Sequence, residues 1–79
     1  MMLSLEDVEK KVLARFPGGQ VSVKDMTGGG DHLEITVVSE LFEGVNRIGR
    51  HRMVYEALGT AVGAEIHAAK LVTRAPGEL

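Results

Sequence analysis

A chain of 79 residues with no cysteine has no disulfide to staple it and no thiolate to offer a metal or a reaction. A chain this short is expected to form one small domain that buries only about 60% of its unfolded surface, which leaves little room for a deep catalytic pocket and favours binding over turnover. Its 44% hydrophobic content argues against disorder, and its net charge of −2 argues against non-specific nucleic-acid binding by the whole surface, though not against a local basic patch.

The first element is predicted to be a helix. Ser4 is placed to cap it, Asp7 stands three residues later as in a capping box, and Leu3 and Val8 have the spacing of a hydrophobic staple. Leu5, Val8, Val12 and Phe16 recur at helical spacing as one apolar stripe, and Pro17-Gly18-Gly19 stops the helix. The N-terminus lacks the basic start and apolar run of a secretory signal. No stretch approaches the ~20 apolar residues of a membrane span. The expectation is a soluble, cytoplasmic protein without membrane contact, or an organellar-matrix protein if a targeting peptide has been removed.

Val21 and Val23 alternate with Ser22 and Lys24 as a short strand. Leu33, Ile35 and Val37 alternate with Glu34 and Thr36 as a second. The glycine-rich segment at residues 27–31 joins them as an antiparallel hairpin, with His32 opening the second strand. Those glycines do not open a helix, so a phosphate-cradle reading lacks its mechanism.

The longest helix is predicted from Arg47 to about Val62. Ile48, His51, Tyr55, Leu58 and Val62 fall on one face, Arg50, Glu56 and Thr60 on the wet side, and Gly63 is placed to end it. A third strand follows at about Ile66 to Thr73. The tail at residues 75–79 is expected to be poorly ordered.

The order α-β-β-α-β gives an α+β fold: one three-stranded mixed sheet with helices on one face. Strand two, the long helix and strand three form a βαβ unit, so those two strands should be parallel. His32 precedes the body of strand two and His67 that of strand three. Neighbouring strands lie ~4.8 Å apart, so both imidazoles can emerge at one end of the sheet and converge on one ion or cluster. From position alone, His67 reads more readily as a strand residue hydrogen-bonded at the sheet edge than as a ligand, and His32 also reads as a solvated loop residue. Arg47, Arg50, His51 and Arg52 cluster on the first turns of the long helix, an end that is already partly positive. They read either as an anion or nucleic-acid contact, or as a solvated face paired to Glu40 or Glu43.

The run Phe42-Glu43-Gly44-Val45-Asn46-Arg47-Ile48-Gly49-Arg50-His51-Arg52-Met53-Val54-Tyr55 resembles the signature of BolA proteins, with an F-x-G segment followed by a helix opening on R-H-R. Val38-Ser39 before it, and Ile66-His67-Ala68, Thr73 and Pro76 after it, fit the same pattern. The chain departs from many relatives in its last residues, where Ala75 precedes Pro76 and Leu79 closes the sequence.

The resemblance implies a class II KH-like fold and a non-enzymatic role. It implies pairing with a monothiol glutaredoxin of the CGFS type, and a [2Fe–2S] cluster shared with that glutaredoxin and glutathione. His67 corresponds to the family's C-terminal histidine and His32 to its variable loop ligand. A cysteine-free chain suits such sharing: clusters are held chiefly by thiolates, with two imidazoles an accepted substitution on one iron. Neutral imidazole is the ligand form, so binding should weaken in acid.

The alternative is a DNA-binding regulator using Arg47, Arg50, His51 and Arg52. The G-x-x-G clamp of KH domains is missing, and Gly44-Val45-Asn46-Arg47 stands where it would sit. A weak homodimer is a further expectation. No Ser/His/Asp arrangement suggests an enzyme.

Overall fold

The strict alternation of Leu33, Ile35 and Val37 with polar neighbours builds the centre of the molecule. In the computed structural model, which describes residues 5–26, 32–59 and 68–78, these three side chains are almost wholly buried. They belong to β2 (His32–Val38), flanked by β1 (Gln20–Asp25) and β3 (Ala68–Arg74). β1 pairs antiparallel with β2, and β3 parallel with it, in the order β1-β2-β3. Register sets Val23 and Leu71 on either side of Ile35. Helices α1 (Leu5–Arg15) and α2 (Arg47–Leu58) complete an α+β fold with a mixed three-stranded sheet, as the element order predicts.

Both helices cover one face. Val8 and Val12 from α1, Phe16 just after it, and Val54 and Leu58 from α2, are buried together with Leu33, Ile35, Val37 and Leu71. Phe42, on a short 3-10 turn at Glu40–Phe42, closes the gap between the layers. Its ring lies 5.0 Å from that of Phe16, tilted by 55°, a favourable aromatic arrangement. Strand alternation puts Gln20, Ser22, Lys24, Glu34, Thr36, Lys70 and Arg74 on the opposite, open face. There Lys70 reaches Glu34 at 3.7 Å, an exposed pair worth little by itself.

The first helix ends where Pro17 and the glycines stand, as expected. Of its predicted stripe, Leu5 is partly exposed while the other three residues are buried. Gly19 is required by close approach: a Cβ there would lie 2.7 Å from the Val38 carbonyl oxygen and 3.0 Å from that of Phe16. The Ser4 cap, the Leu3 staple and the glycine turn at residues 27–31 lie outside the described residues.

Three expectations are corrected. α2 ends at Leu58, not near Val62. Gly59 takes φ of +60°, which a β-carbon disfavours, and its N–H donates to the Tyr55 carbonyl. Val62 and Gly63 lie outside the described residues.

The buried face of α2 is also a different one. Ile48 is 71% exposed and Tyr55 41%, with His51 half-buried, whereas Val54 and Leu58 are fully enclosed. Leu58 belongs to both possible stripes, so spacing alone does not choose between them. Val54 and the inward-turned Arg50 decide it.

The tail, expected to be poorly ordered, instead folds onto the body. Ala75 is buried, Pro76–Glu78 make a 3-10 turn, and Glu78 is bonded to α2. Leu79 lies outside the described residues.

Two substitutions separate these faces. Phe42→Ala should cost about 3–5 kcal/mol, a large share of the stability of a chain this short. Ile48→Ala should change stability by no more than about 0.5 kcal/mol. Urea denaturation midpoints check both; equal losses would contradict the packing.

Candidate functional site

β2 and β3 run in the same direction, so their N-terminal ends lie side by side. His32, the first residue of β2, is exposed and stands in register with Ala68, the first residue of β3. Its carbonyl accepts the Met26 N–H at 2.8 Å, which ties the start of β2 to the end of β1. Strand alternation sets His32 on the open face with Glu34, away from the core.

Ala68 is the sequence successor of His67, and His67 itself lies outside the described residues. Among the described residues no group of three or more His, Cys, Asp or Glu side chains could hold a metal ion. The chain has no cysteine at all. Any thiolate in a site at this sheet end must therefore come from another molecule.

The basic start of α2 is organised differently from what its sequence suggests. Asn46 caps the helix, its Oδ1 accepting the Gly49 N–H at 2.8 Å. Arg47 and Arg52 are exposed and His51 half-buried. Arg50, expected on the wet side, turns inward, with only 13% of its side chain exposed. Its Nε donates to the Val45 carbonyl at 2.7 Å, and its two terminal nitrogens meet both Glu78 carboxylate oxygens at 2.6 and 2.7 Å. One of them also approaches the Thr73 carbonyl at 3.4 Å, and the guanidinium lies 5.7 Å from the Phe42 ring centre. This two-pronged geometry is available to arginine and not to lysine. Glu78, rather than Glu40 or Glu43, is thus its acid partner. Of the four basic residues proposed from sequence as a nucleic-acid contact, Arg50 is engaged by the tail, while Arg47 and Arg52 are exposed.

Glu78 also accepts the Ala75 N–H at 3.1 Å. The bidentate bond from Arg50, then this backbone bond, hold its carboxyl down to about 2 from the usual 4.5. The same pairing raises Arg50. The pairing was missed from sequence because its members are far apart along the chain. A signal did exist: a carboxylate three residues after Ala75, across Pro76-Gly77, has the spacing of a capping box.

Between the first turns of α2 and the outer edge of β3 runs a groove of about 540 Å³, lined among others by Arg47, His51, Lys70, Leu71, Thr73 and Arg74. None of the described helices is long and apolar enough to cross a membrane.

A family model described as BolA-like protein matches residues 11–78. The chain is 41% identical over 68 residues to protein BOLA2 of Arabidopsis thaliana, covering 85% of this chain and 72% of that one. It is 35% identical over 60 residues to the chloroplastic protein BOLA1 of the same plant, covering 76% of this chain but only 38% of that relative's length. The solved structure of a BolA homologue from Coxiella burnetii superposes with a TM-score of 0.80 at 33% identity, covering 98% of this chain and 96% of that one.

The Glu78 contact has a pH signature. Because its folded carboxyl lies below the ordinary value, the ion pair contributes fully above about pH 4.5 and is lost as pH falls toward 2. Glu78→Gln should lower the melting temperature at neutral pH and flatten the acid loss between pH 5 and 2. Parallel acid profiles of the two proteins, followed by circular dichroism, would contradict this.

Proposed function

The chain belongs to the BolA-like family, and from that membership we propose that it is a non-enzymatic partner of a monothiol glutaredoxin, with which it helps to hold a shared [2Fe–2S] cluster. The observation that carries the reading is the parallel register, which sets His32 level with the successor of His67. His67 is the principal ligand in this reading and His32 the second.

The donor chemistry fits. Two imidazoles and no thiolate cannot enclose a cluster alone, but they can complete one whose other ligands are thiolates of the glutaredoxin and glutathione. When bound, the cluster supplies one-electron chemistry and transferable iron and sulfide.

The chain's own contribution is positional. The ladder between β2 and β3 fixes the spacing of the two strand ends, and the Met26–His32 bond anchors the approach. His32 is exposed, so a partner can reach it without opening the core. The role is cluster transfer or iron sensing rather than turnover.

The test mixes the purified chain with a CGFS glutaredoxin, glutathione and a cluster source. A heterodimer should appear on sizing, with altered visible absorption and circular dichroism. His67→Ala should remove most of that change and His32→Ala a smaller part. A spectrum indistinguishable from the glutaredoxin's own, without a heterodimer, overturns the reading.

A further inference from the structure

β3 is an edge strand, and its outer backbone groups are only partly used. Parallel pairing fixes which ones they are. The Arg74 carbonyl accepts the Ser39 N–H at 3.0 Å, so Arg74, and with it Val72 and Lys70, direct their backbone toward β2. Leu71, Thr73 and Ala75 therefore direct theirs outward. Two of these outward groups are capped from within the chain: Arg50 reaches the Thr73 carbonyl and Glu78 takes the Ala75 N–H. The cap ends there. Among the described residues, the N–H and carbonyl of Leu71 and the N–H of Thr73 face the groove without a partner.

Among the described residues that line the groove there is no acid. Arg47 stands at its helix wall and Arg74 at its strand wall, both exposed, while the Lys70 side chain turns to the open face of the sheet and meets Glu34 there. The acid that neutralises Arg50, Glu78, is already consumed by that pairing. A local concentration of positive charge on a chain of net charge −2 marks a site for an acidic ligand.

We propose that this groove binds an extended acidic peptide segment of a partner protein, which adds as a fourth strand to the outer edge of β3. A peptide alternates donors and acceptors and can answer both the N–H and the carbonyl of Leu71. A nucleic-acid backbone presents phosphate acceptors alone and leaves that carbonyl unmet. Strand addition supplies affinity through the main chain, and the flanking cations supply selectivity for acidic side chains. The Arg50–Glu78 cap sets the end of the added strand, at Thr73. His32 does not line the groove, and the test below needs neither a cluster nor a glutaredoxin, so the proposal stands or falls apart from the cluster reading.

The test uses the full chain and a blocked pentapeptide alternating glutamate and valine, followed by amide NMR. Binding should slow hydrogen exchange at Leu71 and Thr73, and weaken as salt rises. Losing the one hydrogen bond that the peptide donates to the Leu71 carbonyl, at about 1 kcal/mol, corresponds to about fivefold in affinity. The fully N-methylated peptide, which keeps the side chains but cannot donate, should therefore bind about fivefold more weakly. The double change Arg47→Glu with Arg74→Glu, at two exposed positions, should abolish most binding while the far-ultraviolet spectrum stays native. Equal affinity for the N-methylated peptide overturns strand addition. So does binding without slowed exchange at Leu71 and Thr73. Binding of a short oligothymidylate in the groove, with none of the peptide, assigns it to nucleic acid instead.

Discussion

The parallel ladder between β2 and β3 is the constraint on which the rest of the molecule depends. A parallel pair cannot be joined by a tight turn, so the chain must cross over, and α2 is part of that crossover. Once α2 lies on the sheet, Val54 and Leu58 meet Leu33, Ile35, Val37 and Leu71, and the core closes against α1. The same ladder sets His32 beside Ala68 and leaves the far side of β3 open. Core, candidate ligand end and groove are consequences of one register.

Much of this was legible in the residues. The period-two runs located β1 and β2, and Pro17-Gly18-Gly19 marked the end of α1. The order of elements gave the parallel pairing, which is what made His32 and His67 worth considering together. α2 starts where the arginines begin, under an Asn46 cap.

What was not legible has a common physical cause. The face that α2 buries depends on partners distant in sequence. Ile48 and Tyr55 look like core residues by hydropathy, yet it is Val54 that is fully buried, and the Arg50 guanidinium that lies over the Phe42 ring. Likewise, a tail of Ala, Pro, Gly and Glu reads as loose until Arg50 gives its carboxylate somewhere to go. Local pattern carries no information about a bond between residues 50 and 78.

The capped end of β3 has a consequence for how the protein behaves in concentrated solution. An exposed strand edge is a template on which copies stack into ribbons, and natural sheets protect theirs with charge or covering segments. Here the tail is the gatekeeper at one end of β3, and the cationic groove guards the rest by like-charge repulsion between copies. Acid removes the first guard when Glu78 is protonated. Colloidal stability should then rest on repulsion alone, and added salt, which screens it, becomes an aggregating agent at low pH while remaining harmless at neutral pH.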